Sequence, residues 1–289
     1  MQISVSQILS KTAEITGSRL GGLIGMWLTF FAMQIIFMMI AFGAFGTSLA
    51  ALGLAAEPQD MGAMGMGMGI GMMFMMFLLY LVYFYLYAAQ SAAMSRLASP
   101  LLNPNFGEAL TGGFISGISL MGAFVLLAIG YFIGAIVLGL VAGVLSLLGP
   151  VGAVISAVAL IAALLYLAAR LSILAPVVAV DGVRNPVTAI ARAWQLTGAN
   201  VVNILLALLV LIAGSLVLFA IPFALFYGTI ESLGEGAVDP ASAIGSMFGM
   251  FGLFALVGVI VTVVASVMIA VIHAGVSGTQ AEHLERTFE

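Results

Sequence analysis

Stretches without Asp, Glu, Lys or Arg run through residues 20–56, 61–95, 109–169, 193–230 and 240–281. A helix needs about 20 apolar residues to cross a bilayer, so every run can hold at least one span. Run 109–169 holds two, because Gly149-Pro150 interrupts it with a turn signal. The pattern predicts spans at about 20–45, 71–94, 116–148, 151–176, 201–227 and 244–276. The third and sixth exceed the length a bilayer requires and should tilt, kink or project from it. Strict alternation of apolar and polar residues, the mark of a membrane barrel, is absent.

Composition supports the same architecture. The 289 residues are 64 % hydrophobic and 6 % charged, against about 25 % charged in soluble domains. Too few polar groups exist to cover a water-soluble globule, and the absence of cysteine excludes a disulfide-stapled fold. The 19-residue polar lead is too long and too weakly basic for a cleavable signal peptide. It is read as part of the mature chain.

Charge then orients the spans. With six crossings, Lys11, Arg19, Arg96, Arg170, Arg184, Arg192 and Arg286 all fall on or toward the side that bears both termini. The opposite loops carry Glu57, Asp60, Glu231, Glu235 and Asp239 and no basic residue. Positive residues near span ends stay in the cytoplasm. The expectation is a bacterial-type inner-membrane protein with both termini cytoplasmic.

The dipeptide Thr-Gly occurs three times, at Thr16-Gly17, Thr111-Gly112 and Thr197-Gly198, each time at the start of an odd-numbered span. A short amphipathic segment precedes it. In the first copy Val5, Ile8, Leu9, Thr12 and Ile15 share one face, with Gln7, Lys11, Glu14 and Ser18 opposite. In the third, Val187, Ile190, Trp194 and Thr197 oppose Thr188, Arg192 and Gln195. Asn185-Pro186 supplies an N-cap and a first-turn proline, and Asn103-Pro104 should do the same for the shorter middle copy. Such helices lie in the membrane interface, and the glycine should end each one and bend the chain into the membrane. The resulting fold class is all-α: one integral membrane domain of three hairpins, each preceded by an interfacial helix. Its pseudo-repeats cover about 1–95, 96–182 and 183–289.

Within 170–200, Arg170 stands late in a span, followed by Pro176, Asp181 and the helix Ala189-Ile-Ala-Arg192-Ala-Trp194-Gln-Leu196-Thr197-Gly198. This stretch resembles the signature of the glycerophosphoryl diester phosphodiesterase membrane domain family and the related YciC-type proteins. Asp181 replaces the more usual Glu, and Ala193 the small hydroxyl residue before Trp194. The resemblance implies an integral membrane module, sometimes fused to a phosphodiesterase domain. The carboxylates and histidines of such a domain are missing here, so only the fold is carried over.

Catalytic chemistry finds little material. The two histidines, His273 and His283, belong to no metalloprotease, nucleophile-elbow or phosphate-loop pattern. Glu14, Glu108 and Asp181 sit in or near the interfacial helices and read most simply as solvated or ion-paired groups. Eight methionines crowd into residues 61–76. Thioethers select Cu(I), which nominates Met64, Met66 and Met68. A flexible apolar loop with Met as adaptable filler is the plainer account, and no cofactor or metal is expected. The pairs Gly21/Gly25, Gly130/Gly134, Gly139/Gly143 and Gly245/Gly249 have the spacing that lets helices approach closely, within the bundle or between subunits.

Arg170 is the one charge clearly inside a span. A mid-membrane arginine costs about 2.5–3.5 kcal/mol on insertion scales, which calls for a partner. Asp181 is the first candidate, with Glu108 and Glu14 behind it. Arg192 and Trp194 complete the residues nominated for structure or ligand contact. The functional expectation is a non-catalytic membrane protein with a lipid-associated or scaffolding role. A transporter or channel for a small or lipid-like solute is the alternative. Membrane lipids are the expected partners, with a homo-oligomer or larger membrane complex also open, and nucleic acid is not expected.

Overall fold

A computed structural model describes the backbone over residues 3–55, 61–234 and 240–288, and side chains over 3–41, 43, 73–227, 245 and 248–278. Among the described residues there is no strand. Eight helices follow in order: α1 Val5–Ala55, α2 Met61–Ala98, α3 Phe106–Leu145, α4 Pro150–Leu171, α5 Leu174–Ala179, α6 Pro186–Thr197, α7 Val201–Gly234 and α8 Pro240–Phe288. Among the described residues six segments are long and apolar enough to cross a membrane: Val5–Ala41, Met73–Ala98, Phe106–Leu148, Pro150–Ala179, Pro186–Tyr227 and Phe248–Gly278. Each overlaps one predicted span. The chain is an all-α polytopic membrane protein.

The turn between the third and fourth spans forms where expected. A 3-10 turn over Ser146–Leu148 leads to Gly149 at φ +66°, a conformation that favours glycine, and Pro150 opens α4. The fourth span breaks earlier than its predicted end at 176. Pro176 has no N–H to bond the carbonyl of Ser172, and its ring crowds that carbonyl. The helix therefore stops at Leu171 and restarts as α5. Leu174, Pro176, Val177, Val178 and Ala179 are all buried, so α5 plugs the end of the bundle among α2, α3, α6 and α8.

The expected helix-ending glycines are corrected in the first two copies, and in the third the helix does end at Thr197 with Gly198 as its C-cap. Helix α1 runs straight through Gly17 and α3 through Gly112. A glycine inside a helix costs only about 1 kcal/mol, while an interrupted ladder in lipid leaves unbonded backbone groups that cost more. In the third copy Gly198 has φ −52° and opens a single 3-10 turn, Gly198–Asn200, in place of a left-handed cap.

Two local assignments also shift. The middle cap is Asn105 and not Asn103: Asn105 Oδ1 accepts from Glu108 N at 2.9 Å, and Glu108 Oε2 accepts from Asn105 N at 3.1 Å. The Met-rich stretch read as a loop is helical from Met61. The side chains of Met64, Met66 and Met68, and of His283, Arg286 and the acidic residues 57, 60, 231, 235 and 239, lie outside the described residues.

Buried apolar side chains gather at one end of the bundle. Ile8, Leu23, Met26 and Phe30 of α1 join an alanine-rich face of α2, most of α5, and Val263, Val267, Met268 and Ile272 of α8. Farther along α3, the turn after it and α4, large apolar residues such as Phe132, Leu140, Leu147 and Val151 are exposed. So much apolar surface would be a liability in water. In a bilayer it is the solvated face.

Candidate functional site

Arginines organise the buried end of the bundle by capping helices. Arg19 Nη1 donates to the carbonyls of Leu97 at 2.8 Å and Ser99 at 3.0 Å, at the C-terminus of α2. Arg96 Nη1 donates to Ala179 O at 2.6 Å, at the C-terminus of α5. These carbonyls have no partner within their own helices, and a cation there complements the helix dipole. Arg96 lies so close to Gly112 that the glycine has no room for a Cβ.

Asp181 lies between the fourth and fifth spans and joins two elements. Its Oδ2 accepts from Arg192 Nε at 2.7 Å, and its Oδ1 lies 3.1 Å from His273 Nε2. Gly182 at φ +70° turns the chain so that α6 brings Arg192 back to the carboxylate. Burial opposes the charged form of Asp181. Hydrogen bonds and charge from His273 and Arg192 outweigh it and hold the carboxyl below its ordinary range. Ser277 Oγ also lies 3.2 Å from His273 Nε2. Serine and aspartate thus meet the same ring nitrogen, whereas a proton relay needs them on opposite ones. Nδ1 of His273 is buried without a hydrogen-bond partner. The cluster ties α8 to the α5–α6 connection.

The pairing expected between Arg170 and Asp181 does not form, because Arg192 and His273 occupy both carboxylate oxygens. Arg170 instead lies over the Trp194 ring, 4.2 Å from its centroid, with Tyr166 at 5.7 Å. The two rings meet edge to face at 5.9 Å. Such a cation–π stack stabilises by roughly 0.5–2 kcal/mol depending on desolvation. Nε and Nη1 of Arg170 are buried without a hydrogen-bond partner. Its Nη1 would stand 3.0 Å from a Cβ added at Gly198, so the third Thr-Gly gives the guanidinium its place. Thr197 Oγ1 shares its proton between the carbonyls of Ala193 at 2.8 Å and Arg170 at 3.0 Å. The fallback partners stay away: Glu108 is engaged in the capping box of α3, and Glu14 is exposed on α1 with no ion pair among the described residues.

The amphipathic faces come out differently in two copies. In α1, Ile8 and Thr12 are buried and Gln7, Lys11, Glu14 and Ser18 exposed, as expected. In α6 the buried face is Ala189, Ala193, Leu196 and Thr197. Val187 is 63 % exposed and Trp194 37 %. Small alanines fit against the crowded bundle, and the bulky pair turns outward.

Two cavities adjoin these residues. A groove of about 480 Å³ between α3, α4 and α6 is lined by apolar side chains from Leu138 and Leu160 to Ile190 and Trp194. Gly130 and Gly134 open onto it and meet nothing within 4 Å. A chamber of about 490 Å³ lies among α1, α2, α5 and α8, with amide, hydroxyl and aromatic side chains in its wall. The signal for its polar lining in the sequence is slight: Gln34 and Gln90 each stand as the lone amide of a charge-free run. No group of three or more His, Cys, Asp or Glu side chains that could hold a metal occurs among the described residues.

Six apolar crossings packed around a buried, arginine-capped end define a polytopic α-helical integral membrane protein. No protein-family model, no curated protein and no solved structure matches the chain.

Proposed function

We propose that this chain is a non-catalytic protein of a bacterial-type inner membrane, with both termini in the cytoplasm, that holds an anionic phospholipid in the α3–α4–α6 groove. The observation that carries this reading is the groove itself. Its walls are apolar along the membrane-spanning helices, and it ends at Trp194, on which the guanidinium of Arg170 is stacked. An acyl chain matches the walls, and the positive charge of Arg170, carried on Trp194 rather than on the groove wall, favours an anionic headgroup at that end. The basic residues on the side of the termini favour the cytoplasmic orientation. The resemblance of residues 170–200 to a membrane domain family agrees with a role inside the bilayer.

The test is purification in mild detergent with native lipids, followed by mass spectrometry of the intact protein. Wild type should retain a phospholipid that Gly130→Leu, which fills the groove, reduces severalfold. Equal lipid retention by both proteins would refute the reading.

A second reading, passage of a small or lipid-like solute, is favoured by the polar chamber between the helices. Solute flux into proteoliposomes tests it, and flux equal to that of protein-free vesicles would exclude it.

A further inference from the structure

Polar side chains within membrane bundles commonly serve as glue, bonding one helix to the next. The chamber uses them otherwise. Ser95 Oγ donates to Ser91 O at 2.8 Å, Ser266 Oγ to Thr262 O at 2.8 Å, and Ser172 Oγ to Ala169 O at 3.0 Å. Each hydroxyl spends its one proton within its own chain segment, which leaves oxygen lone pairs on the chamber wall. Of the bonds these side chains make, the one that crosses between helices joins Gln34 Nε2 to Gln90 Oε1 at 3.2 Å. An amide carries two N–H groups, so this pair still offers donors. The wall therefore presents donors and acceptors together.

Among the described residues the lining contains no Asp, Glu, Lys, Arg or His. A bare ion would find no opposite charge there, and burying one unpaired is costly. Trp27, Tyr83, Tyr87 and Phe124 supply flat apolar surfaces beside the polar groups. The volume of about 490 Å³ lies in the range of small-molecule sites, roughly 300–1,000 Å³.

We infer that this chamber binds an uncharged, hydroxyl-rich group with an apolar face, the chemistry of a sugar or polyol, either free or as a lipid headgroup. The inference is independent of the lipid proposed for the groove, which shares only Leu171 with the chamber among the described lining residues.

Tryptophan fluorescence tests it. The chain has two tryptophans, and Trp194→Phe leaves Trp27, on the chamber wall, as the sole reporter. The full chain is placed in phosphatidylcholine nanodiscs and titrated with glucose. Parallel nanodiscs carry a minor fraction of monoglucosyl diacylglycerol. A saturable change with glucose assigns the site to a free solute, and a change with the glucolipid alone assigns it to a headgroup. Gln90→Leu and Thr262→Val should each weaken the response about tenfold, the effect of losing one hydrogen bond of about 1.4 kcal/mol. Calorimetric titration of the wild-type protein with the same probes serves if the Trp194→Phe protein does not fold. Silence toward both probes in fluorescence and calorimetry means a chamber filled by water and overturns the inference. An equal response to glucose 6-phosphate, or undiminished binding by the two folded chamber variants, overturns it as well.

Discussion

Two of the glycine pairs on helix α3 share the same spacing but have opposite surroundings. Gly113 and Gly117 are pressed against α2: a Cβ added at Gly113 would lie 2.5 Å from Ala93 Cβ and 2.8 Å from Ala89 O, and one at Gly117 would lie 3.0 Å from Ala89 Cβ. Gly130 and Gly134, farther along the same helix, face open space at the groove between α3, α4 and α6. The difference lies in the partner. Ala89 and Ala93 repeat the four-residue spacing on α2, so two small-residue stripes close a seam. Opposite Gly130 and Gly134 stand Leu160, Leu164 and Leu167, which hold α4 away. Small-residue spacing therefore marks where a helix can be approached, and the neighbour decides whether a seam or a cleft results.

The same contrast separates two charges. Asp181 is closed in by Arg192 and His273, whereas Arg170 rests on an aromatic ring with two nitrogens unbonded. One charge is bonded into structure, and the other keeps donors to spare.

The sharpest way to break the comparison is to overfill the seam. Gly113→Leu should destabilise the detergent-solubilised protein by about 1–3 kcal/mol or more, read as a lowered unfolding midpoint. Gly130→Leu should stay within about 0.5 kcal/mol of wild type while bound lipid falls. Similar losses of stability in both would show that the groove is a packed interface.

Asp181→Asn should produce the next largest loss at neutral pH, because it removes the charge that faces Arg192 and His273. The sign of the pH dependence follows from the lowered carboxyl pKa. Its contribution is complete above the unfolded carboxylate value of about 3.9 and disappears as pH falls through the depressed folded value. Wild type should thus lose stability on acidification through this window, and Asp181→Asn should lose less. Parallel acid profiles would remove Asp181 from the account. Arg192→Ala combined with Asp181→Ala should cost less than the sum of the single changes, whereas Arg170→Ala with Asp181→Ala should be additive. Coupling in the second pair would contradict the observed partners.

Gly17→Ala should have a small effect, and a favourable one. Its helix is continuous and nothing lies within 4 Å of an added Cβ. Replacing an open helical glycine stabilises by roughly 0.5–1 kcal/mol. A loss instead would mean that a neighbour covers this face of α1.

Features governed by a few consecutive residues were legible in the sequence. Long uncharged runs became crossings, Gly149-Pro150 became a turn, Asn185-Pro186 became a capped helix start, and the face containing Ile8 and Thr12 turned inward. Backbone bonding in lipid and apolar periodicity act locally, so local sequence determines them. Asp181 and Arg192 were legible as candidates for contact, but their bond was not. It depends on the return of α6 after Gly182, and the link to His273 depends on α8 packing beside that turn. The glycine stripe that became a seam, the resting place of Arg170 and the polar chamber were likewise decided by tertiary structure. Each needs side chains from helices far apart in the chain, and in a uniformly apolar sequence hydrophobicity does not choose which helices meet. That choice falls to the shapes of facing surfaces: alanine against glycine at the seam, leucine against glycine at the groove.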